Sequence, residues 1–271
     1  MSKLPIGLQL YSVRDDLKAD FKGTLKKVKE MGYEGVEFAG LHDHTPDEVK
    51  AMCEEVGLIP VSAHVPFTKM MEDPEGMIGD YKKIGVMQVV IPHVSAEYRP
   101  DGDKFEELVE GAKKLGEVAN RLGLVLAYHN HDFEFVYRNG KRGLDVLYEE
   151  VPADLLKVQL DTCWVNVGGE NPTEYVNKYA GREPTVHLKD FVGEKSEKMY
   201  ELIGVKDDKK ISDAQAFELR PVGYGKQDFP SILAAAEKSG AKWVIVEQDR
   251  PSMGKTPLEC AKLSIEYLKS L

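Results

Sequence analysis

The sequence predicts a single (β/α)₈ barrel, and three observations carry that expectation. Eight short β-rich apolar runs recur along the chain, an amphipathic segment follows each, and the units repeat at roughly 30-residue spacing. A chain of 271 residues suits one such domain around one continuous core, spanning 1–271. A doubly wound open sheet is the structural alternative. It usually announces itself by a glycine-rich first βα turn, and Leu10-Tyr-Ser-Val-Arg14 is not one.

The elements read in order as follows. Strand Ile6–Leu10 is followed by helix Leu17–Met31, strand Gly35–Ala39 by Pro46–Val56, and strand Ile59–His64 by Pro74–Ile84. Strand Gln88–Pro92 precedes Phe105–Leu122, and strand Leu124–His129 precedes Leu144–Glu150. The last three pairs are Leu156–Asp161 with Pro172–Tyr179, Thr185–Lys189 with Phe229–Lys238, and Trp243–Glu247 with Leu258–Leu271. Most strands are apolar throughout, as expected where helices cover the outside and packed side chains fill the inside. Thr45-Pro46 and Asn171-Pro172 place a capping side chain before a proline at the first helical position. Gly32, Gly57, Gly85, Gly123 and Gly240 sit just past helix ends, where left-handed backbone is needed. One connection is long: residues 190–228, charged and lysine-containing, are expected to form a functional loop above the mouth, a lid or a subunit contact.

Composition excludes several function classes. Thirty-six Lys+Arg against 46 Asp+Glu leave a formal charge of −10, which gives no long-range attraction to nucleic acid or anionic lipid. Cys53, Cys163 and Cys260 are scattered and odd in number, so neither a disulfide framework nor a cysteine-rich zinc site is expected. The opening Met-Ser-Lys-Leu-Pro-Ile-Gly lacks a signal-peptide pattern, and no stretch approaches a membrane span. A cytoplasmic protein is the expectation.

In a barrel, chemistry gathers where strands end and βα loops begin. Here those ends carry His64, His93, the Tyr128-His129-Asn130-His131 run, Asp161, His187 with Lys189, and Glu247, including five of the seven histidines. A lone histidine at a strand end is more often structural than a ligand. His, Asp, His and Glu at one rim are explained more simply by a divalent cation, which needs several nitrogen and oxygen ligands to converge. His42 and His44 in a polar loop, Cys163 and Trp164 as packing residues, and Asp190, Asp228 and Asp249 as caps or turn residues stay outside the ligand set.

Gln159-Leu-Asp161-Thr-Cys-Trp, Val186-His187-Leu-Lys-Asp190, Gly223-Tyr-Gly225 and Val244-Ile-Val-Glu247 resemble the xylose isomerase-like barrel superfamily, in its sugar phosphate isomerase/epimerase branch. Tyr128-His-Asn-His-Asp-Phe-Glu-Phe135 is similar to the marker of one bacterial subgroup. The resemblance implies a divalent metal (Mn, Mg, Co or Zn) held by Asp161, His187, Glu247 and a strand-five ligand. That ligand is usually glutamate. The matching position is His129, with His131 facing the same way one strand step higher.

The implied reaction is isomerisation or epimerisation of a keto sugar, polyol or inositol derivative through an enediolate. The usual pair of shuttle glutamates is reduced to Glu247, which keeps a second reading open, a lyase or hydratase resembling inosose dehydratases or enzymes of 3-keto-glycosides. A third reading, from another class, is a sugar-binding barrel without catalysis. Glu247, His131 and His64 are the candidate proton carriers, and His64, His93, Lys189 and Arg220 the candidate substrate contacts. The related DNA-repair endonuclease branch fits poorly. Trp164 stands where it has a histidine, and Glu218-Leu-Arg220 where it has Asp-x-His. The expected partner is a small-molecule sugar, with a homo-oligomer also open.

Overall fold

The computed structural model describes residues 4–195 and 217–271. Its barrel strands are β1 (Ile6–Gln9), β2 (Gly35–Ala39), β3 (Ile59–His64), β4 (Gln88–Ile91), β5 (Val125–His129), β6 (Lys157–Gln159), β7 (Thr185–Leu188) and β8 (Trp243–Val246). All pair in parallel, in the spatial order β6-β5-β4-β3-β2-β1-β8-β7. Between β6 and β7 an isolated Asp161–His187 bridge completes the ring, with the His187 amide donating to Leu160 O at 2.8 Å. The predicted barrel is therefore the observed fold, a TIM barrel in one domain, and its seam sets Asp161 beside His187.

The helices are α1 (Arg14–Ala19), α2 (Phe21–Met31), α3 (Pro46–Val56), α4 (Phe67–Glu72), α5 (Pro74–Ile84), α6 (Phe105–Arg121), α7 (Gly143–Glu150), α8 (Thr162–Val167), α9 (Pro172–Lys178), α10 (Phe229–Ser239) and α11 (Pro257–Ser270). Their ends follow local chemistry. Thr45 and Glu48 form a reciprocal capping box on α3, Asn171 caps α9, and the five glycines expected past helix ends all have positive φ. The expected single helix Leu17–Met31 is instead two. Asp20 turns extended and accepts the Gly23 amide at 2.9 Å, ending α1 and capping α2. Helix α8 was not expected, and it exists because Asp161 accepts the amides of Cys163 and Trp164 at its start.

Alternate strand residues face opposite ways. Val36, Phe38, Leu126, Tyr128, Val158, Val186 and Val244 belong to the main apolar core. The intervening positions bury Gln9, Glu37, Ser62, Gln88, Gln159 and Thr185. A polar layer thus fills part of the barrel interior, where apolar packing was expected, while Val61, Trp243 and Ile245 form a separate apolar cluster.

The long connection opens as an antiparallel ribbon of Asp190–Val192 against Glu218–Arg220. The expected lid or subunit contact falls largely on residues 196–216, which lie outside the described residues. Among the described residues no helix is long and apolar enough to cross a membrane.

Candidate metal centre

The closing seam and strand β8 bring four side chains together. Donor atoms of His129, Asp161, His187 and Glu247 all lie within 4.8 Å of one another, and all four residues are buried. His187 Nδ1 lies 2.9 Å from Glu247 Oε2, and His129 Nε2 is 3.7 Å from Asp161 Oδ2 and 4.0 Å from Glu247 Oε2. Asp161 is held by its capping role, in which Oδ1 accepts the Cys163 and Trp164 amides at 2.9 and 3.1 Å. Its other oxygen is buried and accepts no hydrogen bond.

The donor set fits a divalent cation on two counts. Asp161 Oδ2 is buried without a hydrogen bond, and the ammonium beside it, that of Lys189, is shared with two other carboxylates, which leaves room for further positive charge. Charge makes the second count. Glu37, Asp161, Glu247 and Asp249 are four buried carboxylates, and Lys189 is the lysine buried with them. Its Nζ lies 3.0 Å from Asp161 Oδ2, 3.1 Å from Glu247 Oε2 and 3.1 Å from Asp249 Oδ2. The contacts to Asp161 and Asp249 lack hydrogen-bond angles, so one ammonium is shared among three anions. Mixed imidazole and carboxylate ligands suit Zn, Mn or Co.

The fields are correspondingly strong. Burial lowers the Lys189 ammonium, but Asp161, Asp249 and Glu247 outweigh it and raise the group well above its ordinary value. Burial likewise works against a charged His187, yet Glu37 and Glu247 raise it to about 10. Burial raises Glu247, but Lys189 and His187 hold it well below the usual carboxylate range. His129 is pushed far down, first by burial and then by neighbouring imidazoles, which keeps it neutral and able to ligate.

Above the cluster opens a cavity of about 400 Å³, walled by residues that include Tyr11, His64, His93, His129, His131, Lys189, Glu247 and Asp249. His64, His93 and Lys189 therefore share one wall. His131 stacks on Phe133 and Trp164 and stands outside the four-residue cluster. Arg220 is not brought to this cavity: it sits on the ribbon with Nη2 on Glu218 at 2.9 Å. Trp164 and Cys163 pack with Phe191, Phe217 and Leu219. Asp228 caps α10, and Asp190 accepts the amides of Phe191, Gly223, Gly225 and Gln227. Asp249 is neither cap nor turn residue but a partner of Lys189.

Sequence reasoning missed Glu37. Its carboxylate lies beneath the cluster and takes contacts from Gln9, Ser62, His64, Gln159 and His187. A signal existed: an acid in the middle of Gly35-Val-Glu-Phe-Ala39, a strand covered on its outer face, has only the barrel interior to face.

A parallel eight-stranded barrel with its polar cluster at the carboxyl ends of the strands places the protein among the α/β barrels that bind ligands at that face. The chain belongs to the xylose isomerase-like TIM barrel family, whose model matches residues 25–271. An inosose dehydratase from Clostridium botulinum is 30% identical over 188 residues, covering 67% of this chain and 59% of the relative. The chain thus matches about three fifths of that relative's length. A sugar phosphate isomerase/epimerase from Parabacteroides distasonis superposes with TM-score 0.80 at 20% identity, covering 100% of this chain and 95% of the other. An IolI protein solved with a zinc atom superposes with TM-score 0.73 at 16% identity, covering 98% and 97%.

Proposed function

We propose that the protein is a divalent-metal-dependent enzyme that takes a proton from the carbon beside the carbonyl of an uncharged keto sugar or keto-inositol. The observation that carries this reading is the convergence of His129, Asp161, His187 and Glu247 on the wall of a sugar-sized cavity. A bound dication would polarise the carbonyl and stabilise the enediolate charge.

The chain's own residues supply the rest. Lys189 presents a charged donor on the wall, held charged by its three carboxylate neighbours. Glu247 and His131 follow two separate strands, β8 and β5, line the same cavity, and are the groups placed to move the proton. His64 lines the wall with Nε2 engaged by Gln159 Oε1 at 2.8 Å and Glu37 Oε1 at 2.9 Å, which suits it to orienting substrate. His93, kept neutral by burial, offers a substrate hydroxyl contact. With His187 neutral once it binds the ion, the four buried carboxylates outnumber the positive charge of Lys189 and a dication together, which disfavours a phosphorylated substrate.

Loss of water from the enediolate is the outcome favoured. The groups along the wall are unlike, two carboxylates, an ammonium and imidazoles, which suits a one-way elimination needing a base and a separate donor. The similarity to inosose dehydratase over two thirds of this chain supports the same outcome. Isomerisation or epimerisation is the second reading, favoured by Glu247 and His131 facing one cavity from separate strands. Incubation with Mn²⁺ and a panel of keto-inositols, keto-glucosides and free or phosphorylated ketoses in D₂O separates them. Loss of one water by mass marks elimination, and deuterium gain at unchanged formula marks isomerisation or epimerisation. No exchange with any member of the panel would refute both.

A further inference from the structure

We infer that Glu37 and Gln159 are positioning residues for the metal centre, fixing which nitrogen of His187 and of His129 is left to bind the ion. This rests on the metal-dependent reading above. Both imidazoles have one nitrogen turned to the polar layer in the barrel and the other toward the cluster. His187 Nε2 lies 2.6 Å from Glu37 Oε1, while its Nδ1 faces Glu247. A carboxylate can only accept, so without metal both nitrogens of His187 face acceptors; an ion bound beside Glu247 displaces the proton on Nδ1, and the one that remains is on Nε2, held by Glu37. His129 Nδ1 lies 3.2 Å from Gln159 Oε1, and its Nε2 faces Asp161 and Glu247.

The orientation of Gln159 is itself determined. Its Nε2 donates to Glu37 Oε2 at 2.7 Å and to Thr185 Oγ1 at 2.9 Å, so Oε1 must be the atom that meets the imidazoles. Glu37 Oε1 also accepts from Gln9 Nε2 at 2.7 Å. Gln9, Ser62 and Gln159 all donate to one fully buried carboxylate, so flipping Gln159 would set its carbonyl oxygen against an anion. A neutral residue could satisfy a purely structural network at less desolvation cost. A buried anion behind His187 does something more: it raises the basicity of the ligating nitrogen and holds its tautomer.

Two measurements test this without using turnover. In zinc-loaded wild-type protein labelled with [¹⁵N]histidine, long-range ¹H–¹⁵N spectra should show His187 and His129 protonated at Nε2 and Nδ1 respectively. Their other nitrogens should carry metal-bound shifts. A His187 bound to zinc through Nε2 would overturn the inference. Glu37→Gln should weaken zinc binding, measured by chelator competition, by roughly 10–100-fold, and wild-type affinity would overturn it. If Glu37→Gln does not fold, the wild-type spectra alone decide. If the wild-type protein binds no zinc, manganese or cobalt, the metal-dependent reading fails and takes this inference with it. Metal bound through the other nitrogens refutes only the inference.

Discussion

Replacing Lys189 by Met removes the one ammonium shared by three buried carboxylates while keeping a side chain of similar length. In the wild-type protein Nζ lies 3.0–3.1 Å from Asp161, Glu247 and Asp249, and none of the four residues exceeds 4% exposure. Removing one partner of a buried ion pair costs about 3–5 kcal/mol, because the remaining charge is stranded. At about 2–4 °C per kcal/mol for a domain of this class, Tm in chelator near neutral pH should fall by roughly 6–20 °C. The pH dependence has a definite sign. Without the ammonium the carboxylates have folded pKa values above their unfolded ones, so stability is present at low pH and lost as pH rises through the folded values. The deficit of Lys189→Met should therefore shrink in acid. It should also shrink with saturating Mn²⁺ or Zn²⁺, which returns positive charge to the same oxygens. Thermal unfolding followed by circular dichroism, with and without metal across pH, reads all three effects. A variant as stable as wild type in chelator at neutral pH, and indifferent to metal, would refute the charge-deficit reasoning.

Three further outcomes are expected. Burial, helped by Arg99, lowers His93 to about 4. Its stabilising neutrality is therefore present above the unfolded value near 6.5 and lost as pH falls from there through about 4, at a cost of about 3 kcal/mol; His93→Phe should flatten that part of the stability profile measured by urea unfolding. Asp190→Ala strands the amides of Phe191, Gly223, Gly225 and Gln227, and should cost about 2–4 kcal/mol with faster hydrogen exchange across 223–227. Glu247→Gln keeps its shape and should leave the circular dichroism spectrum intact while lowering turnover roughly 10²–10⁴-fold. Unchanged turnover would remove Glu247 from proton transfer.

Much of this protein was legible where structure is local. Thr45-Pro46, Asn171-Pro172 and the glycines past helix ends gave helix limits because capping depends on residues three or four apart. Asp20 escaped for a related reason: its capping of α2 competes with an apolar periodicity that runs straight through it. The strand-end residues were legible as a set, because in a parallel barrel every strand delivers its carboxyl end to one face. Arg220 illustrates the limit. It follows a long connection, and nothing in its neighbourhood of sequence says that it turns to Glu218 on a ribbon and away from the cavity.

The order of strands and the polar character of their ends were determined by the sequence alone, through periodicity and spacing. Tertiary structure decided the pairings at the centre. Glu37 meets His187 across 150 residues, and His64 meets Gln159 across 95. Such contacts follow from barrel closure and from the register of β2, β6 and β7, which place inward-facing residues of distant strands in one layer. The physical reason is dielectric as well as geometric. A carboxylate on an exposed loop is screened and nearly inert, whereas Glu37, buried beneath two imidazoles, acts on both at full strength.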